Sequence, residues 1–274
     1  MRTLKFIFDF YLDASIHVSL AVVSLAGITF YLLGIPWDFL LLGFIFFGSI
    51  VCYNFVKFGV EAHKYLIVSN AYHRSIQIFS FLSFVLALYF LVQLGPRVWA
   101  VVAILGILST LYAVPMLPDA KNLRSLGGFK IYIVALVWTG FTVLLPILDV
   151  GLPMTWDLGV LFAQRFILVL ILMLPFEIRD LRWDDKSLKT LPQVIGSKRT
   201  QLLGLLFIAA FFLLTFLKDH VTSHEILLRL VLVFFLALMF SFDQRRQPKY
   251  FASFWVEGIP ILWLGLFWLA EEMA

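Results

Sequence analysis

Apolar runs of about 17 residues or more recur along the whole of this chain, and nothing else in it narrows the fold so far. Each run can cross a hydrocarbon core about 30 Å thick. No water there can satisfy backbone N–H and C=O groups, so a spanning segment must be a helix or belong to a closed barrel. Barrel strands alternate apolar and polar residues over about ten positions, whereas these runs are longer and uniformly apolar. With 62% hydrophobic and 14% charged residues in 274, a soluble domain is excluded. The expectation is an all-α polytopic membrane protein, a single transmembrane domain with spans near 15–33, 37–58, 75–93, 97–117, 129–148, 158–178, 201–217, 225–241 and 253–270.

The first fourteen residues mix charge with aromatics and carry no small-residue cleavage site, so they predict an interfacial amphipathic stretch rather than a signal peptide. Cys52 is the only cysteine, which rules out an intrachain disulfide and any zinc or iron–sulfur site built on several thiolates.

The connections between spans alternate in character. Fifteen of the 21 Lys and Arg residues fall in the N-terminus and in 59–74, 118–128, 179–200 and 242–252. The intervening short connections carry only Lys218. Cytoplasmic loops hold the excess of Lys and Arg, so the basic face is expected to be cytoplasmic, with the N-terminus inside and the C-terminus outside. Functional residues are expected on that face, where charge and loop length concentrate. The two longest basic connections follow spans two and six, a hint of two similar halves.

Three segments there could carry chemistry. In 175–199, continuing the sixth helix places Glu177, Asp180 and Asp184 at i, i+3 and i+7 on one face, a carboxylate set suited to a hard cation such as Mg²⁺. Arg179, Arg182, Lys186 and Lys189 add charge that could hold phosphate. On spacing alone an ordinary solvated loop remains open. In 111–130, Lys121, Asn122 and Arg124 could contact an anion, or simply join two helices. In 53–65, Asn54, Lys57, Glu61 and Lys64 share a helical face, and Lys57 and Glu61 are spaced to pair. Arg165 lies well inside a span, packed against a partner or snorkelling; Arg97 and Arg229, nearer span ends, are expected to snorkel.

Together these segments resemble the UbiA-type intramembrane prenyltransferases. The resemblance rests on Asp180-x-x-x-Asp184 with Lys189-Thr190-Leu191-Pro192 and Gly196, on Tyr112 to Pro115 with Asn122, and on Tyr53-Asn54 at the start of a first motif. It implies nine helices around a central cavity, with a prenyl group transferred from a prenyl diphosphate to a lipophilic, quinone-type aromatic acceptor. Asp180 and Asp184 would be catalytic and would bind Mg²⁺ with Glu177. Asn54, Lys57, Lys64, Tyr112, Lys121, Asn122, Arg124, Arg179, Arg182 and Lys189 would bind substrate. The implied location is a bacterial plasma membrane, with membrane lipids but no nucleic acid as partners. The first motif departs from the pattern: its three carboxylate positions fall on Phe55, Phe58 and Ala62, and Glu61 is about 100° of helical rotation away. That weakens the expected Mg²⁺ dependence and keeps open a non-catalytic homologue that binds an isoprenoid lipid or a membrane partner. A transporter is disfavoured, because ionisable residues crowd one edge rather than the midplane.

Overall fold

A computed structural model of the chain describes residues 2–59, 70–114, 123, 128–185, 188–242, 244 and 247–272. Among them are nine helical stretches long and apolar enough to span a membrane, with ends within four residues of those expected. The chain is an integral membrane protein of helices, with no strand among the described residues.

Helix α1 (Arg2–Asp13) precedes the first span, α2 (Ile16–Leu33). The second span is α3 (Phe39–Asn54), continued by a π-helical turn, Phe55–Gly59. Helices α4 (Ala71–Leu91) and α5 (Pro96–Ala113) follow. The fifth span joins α6 (Lys130–Thr139) through a second π turn, Gly140–Leu144, to α7 (Leu145–Val150). The sixth is α8 (Trp156–Asp180), and after the short α9 (Leu191–Ile195) come α10 (Ser197–Leu213), α11 (Ser223–Ser241) and α12 (Glu257–Glu272), the last entered through a third π turn, Phe251–Val256.

Local chemistry sets the ends. The Asp38 carboxylate accepts the Leu40 and Leu41 N–H groups at 2.7 and 3.0 Å, satisfying donors that have no partner inside α3. Thr155 and Thr222 cap α8 and α11 in the same way. Gly34 and Gly151 end α2 and α7 in the left-handed conformation that glycine adopts without strain.

Helix α2 packs against α3 and α12, α3 against α4, α6 against α5 and α8, and α10 against α8 and α11. Helices α2 and α8 are the most buried of the spans and form the core, whereas α4 and α5 present Phe81, Val85, Tyr89, Trp99 and Ile104 outward. The α10–α11 contact depends on Gly204, whose absent Cβ would lie 2.5 Å from the Phe240 ring.

Helix α1 lies against the rim of the bundle. It is amphipathic, as expected: Leu4, Phe6 and Ile7 face outward, while Phe8 packs on Tyr250 and Phe254, and Phe10 on Tyr72 and Phe79. His17 fastens the corner. The Phe254 carbonyl can only accept, so Nε2 donates to it at 2.9 Å, which leaves Nδ1 to accept the Tyr11 hydroxyl at 2.7 Å. The rim nearest α1 holds the starts of α2, α4, α6, α10 and α12 and the ends of α3, α5, α8 and α11.

Candidate functional site

The α1 rim gathers most of the chemistry. Lys130, at the first position of α6, is buried with its ammonium 2.9 Å from Glu177 Oε1 and 3.6 Å from Asp184 Oδ2. Among the described residues, the two carboxylate oxygens have no other hydrogen-bond partner. A backbone hydrogen bond sets the placement: Gly128, at φ +78°, donates its N–H to the Leu188 carbonyl at 3.1 Å, docking the start of α6 on the loop that follows α8.

Glu177, Asp180 and Asp184 divide between two cations. Helix α8 ends at Asp180, and Trp183 and Asp184 turn back to its carbonyl. Glu177 and Asp184 meet at Lys130, while the Asp180 carboxylate accepts from Arg179 Nε at 2.7 Å. Arg179 also lies over the Phe176 ring, 5.0 Å from its centre. Asp180 faces a cleft of about 360 Å³ lined also by Arg182, Gln244, Gln247 and Lys249. Gln247 pins that cleft by donating to the Pro175 carbonyl at 2.8 Å and to Gln244 Oε1 at 2.8 Å. Asp184 keeps an i+4 hydrogen bond to the Asp180 carbonyl at 2.8 Å and stays with Glu177; Asp180 is set apart by its pairing with Arg179. Among the described residues no three His, Cys, Asp or Glu side chains gather as a metal-binding group.

Lys57 lies in the π turn that ends the second span. Its side chain is exposed, and Nζ donates to Ser15 Oγ at 2.9 Å and to the Leu12 carbonyl at 3.3 Å. Its charged neighbours include Glu257, the residue after the third π turn, and Arg179. Tyr53 belongs to the same group: its hydroxyl accepts from Trp138 Nε1 at 2.6 Å, and Glu257 and Tyr112 are among its ionisable neighbours. Among the described residues, one π turn holds Lys57 and another ends next to Glu257, consistent with the frequency of π turns at functional sites.

Asn54 is held by other parts of the bundle. Expected to bind substrate, it is buried and uses its amide internally: Oδ1 accepts from Ser15 Oγ at 2.8 Å, and Nδ2 donates to the Ala14 carbonyl at 3.1 Å and Ser80 Oγ at 2.8 Å. It fastens the α1–α2 corner, where Ser15 takes φ +63°, to α3 and α4. Tyr112 is buried at the end of α5, with Lys130 among its neighbours. Arg182 and Lys189 are exposed, and Lys189 has φ +44°, unusual for a non-glycine residue. Lys64, Lys121, Asn122 and Arg124, with Glu61 and Ala62, lie outside the described residues.

Sequence reasoning missed Glu257, Lys130 and the glutamines of the 244–249 segment. Glu257 carried a signal, since an acid four residues into the last expected span is a functional candidate by position. Lys130 stands at the edge of the fifth expected span, where a lone charge gives no signal of its partners. Arg229 was misread: it does not snorkel but is 1% exposed, paired with Glu225 at 2.7 Å, and Glu225 also pairs with Lys218 at 2.7 Å. Arg165 is packed, donating to the Leu25 carbonyl and to Thr29 Oγ1.

No family model and no curated protein matches the sequence. Solved structures do match. A UbiA homolog from Archaeoglobus fulgidus bound to GPP and Mg²⁺ superposes with a TM-score of 0.61 at 12% identity, over 95% of this chain and 98% of that one. A digeranylgeranylglyceryl phosphate synthase superposes with a TM-score of 0.55 at 16% identity, over 98% and 97%. At such identities the likeness is one of architecture, and the fold of this chain is that of the UbiA-type prenyltransferases.

Proposed function

We propose that the chain binds a prenyl diphosphate at the α1 rim, on the cytoplasmic side of a bacterial plasma membrane, and transfers the prenyl group to a lipophilic, quinone-type aromatic acceptor. The observation that carries this reading is that Lys57, Arg179, Glu257 and the Lys130–Glu177–Asp184 cluster lie on the same rim of a fold that, in one solved structure, holds GPP. The basic connections at the same rim support its cytoplasmic placement.

That relative also holds Mg²⁺, and the described residues here do not fit the same use of it. Phe55 and Phe58 offer no ligand atom, Lys130 already lies between Glu177 and Asp184, and Asp180 is paired with Arg179. The steps therefore rest on side chains. Lys57 and Arg179 hold the diphosphate and, with the exposed Arg182 and Lys189, offset the charge that builds as the C1–O bond breaks and its electron pair leaves with the diphosphate. The cationic prenyl carbon is attacked by the acceptor ring, which then loses a proton, and Glu257, a carboxylate at the same rim, is the group we assign to take it. Aromatic side chains such as Tyr53 and Phe176 can face the cationic carbon, although most of the 30 phenylalanines serve packing and lipid contact.

The loss of the first acidic motif favours a second reading, a homologue that binds an isoprenoid lipid or a membrane partner without turnover. Binding of a non-hydrolysable geranyl diphosphate analogue, measured in Mg²⁺ and in EDTA, separates the two. Retained binding with slow prenylation of an aromatic acceptor, followed by lipid mass spectrometry, is the expected result. Absence of binding in both conditions would remove the diphosphate site and leave the lipid-binding reading.

A further inference from the structure

We infer that Lys130 is a built-in cation in the position a divalent metal would take between the carboxylates of the second motif, so that this half of the site works without one. The inference deepens the diphosphate-site reading and rests on it for meaning, but its test does not.

Lys130 has little reason of its own to be buried here. The first turn of a helix carries the positive end of the backbone dipole, which disfavours a cation. Burial removes the hydration of the ammonium, which Glu177 and Asp184 must replace. Each side needs the other: without Lys130, two carboxylates would face each other in a poorly hydrated pocket, a pairing that only a proton or another cation relieves. The ammonium is also held in register, because the Gly128 N–H to Leu188 carbonyl bond ties the start of α6 to the loop carrying Asp184. A divalent ion at this point would have to displace a tethered charge of its own sign from both oxygens.

The neighbouring positions agree. The remaining acid of the motif, Asp180, is paired with Arg179 at 2.7 Å. The first-motif positions Phe55 and Phe58 have no oxygen to offer. Fixed cations therefore stand beside all three carboxylates that a metal would need. A lysine, unlike a metal, cannot dissociate with the product, so the charge here stays constant through binding and release.

The test uses the full chain in lipid nanodiscs with Mn²⁺ alone, titrated by the loss of the free-ion electron paramagnetic resonance signal. Wild type should show no site sensitive to Asp184→Asn. Lys130→Gln frees both carboxylates and should bind Mn²⁺ about tenfold or more tightly than wild type. Lys130→Gln with Asp184→Asn should lose that gain. A wild-type Mn²⁺ site that Asp184→Asn abolishes overturns the inference, and so does a folded Lys130→Gln protein that gains no site. Should Lys130→Gln fail to fold, the comparison of wild type with Asp184→Asn still decides. Failure of the diphosphate analogue to bind would remove the proposed substrate while leaving these metal titrations unchanged.

Discussion

Replacing Asn54 by Ala tests whether this residue is a clamp or a substrate contact. The amide makes three hydrogen bonds, to Ser15, Ala14 and Ser80, all within the protein. A buried hydrogen bond contributes about 1 kcal/mol net, and bonds between membrane helices average about 0.6. Three of them give about 2–3 kcal/mol. The loss also releases Ser15 from a left-handed conformation that costs a non-glycine residue about 1–2 kcal/mol, so part of the damage relaxes at the corner rather than adding to the total. At about 2–4 °C per kcal/mol for a chain of this size, Asn54→Ala should lower the unfolding midpoint by about 4–12 °C. Cys52 offers the assay: as the only cysteine, two residues away on α3 and partly shielded, it should become reactive to a fluorogenic thiol reagent on heating. Lys57 also donates to Ser15 Oγ, so ligand affinity should fall as well, but only as the corner loosens. An Asn54→Ala protein with an unchanged midpoint and abolished binding of the diphosphate analogue would refute the clamp and return Asn54 to the ligand site.

Glu225→Gln leaves Lys218 and the fully buried Arg229 without a carboxylate and should destabilise the protein by about 3–5 kcal/mol in denaturant titrations, whereas adding Arg229→Met should recover much of the loss; a single variant within about 1 kcal/mol of wild type would contradict the burial argument. Asp9 accepts a hydrogen bond from the Tyr250 hydroxyl, and with Lys249 nearby this lowers its carboxyl below the usual 3.8. The docked state of α1 is therefore favoured above pH 3.8, and this support is lost as the pH falls through the lower folded value. Asp9→Asn should mimic that loss at neutral pH as faster hydrogen exchange across residues 3–12, and unchanged exchange would show that α1 docks through its aromatic contacts alone.

The sequence by itself determined the membrane fold. A hydrocarbon layer demands about twenty apolar residues per crossing and internal satisfaction of every backbone group, so nine spans were legible to within four residues. The same physics hid the interior. Lipid tails are as apolar as a packed helix face, so a spanning helix need not show which side meets protein and which meets lipid. Arg229 therefore read as a snorkelling residue until its face proved to point inward beside Glu225. Helical spacing grouped Glu177, Asp180 and Asp184, but only the packing of α6 on α8 decided that two of them share Lys130 while the third pairs with Arg179. Asn54 matched a motif by identity, yet its amide is taken up by Ser15, Ala14 and Ser80, which belong to segments far from it in the chain. Glu257 lay in plain view inside the last span, and its approach to Lys57 depends on how α12 and α3 pack around α2. Pairings across the bundle leave no periodic trace along the chain, so the partner of each buried charge was settled only by tertiary structure.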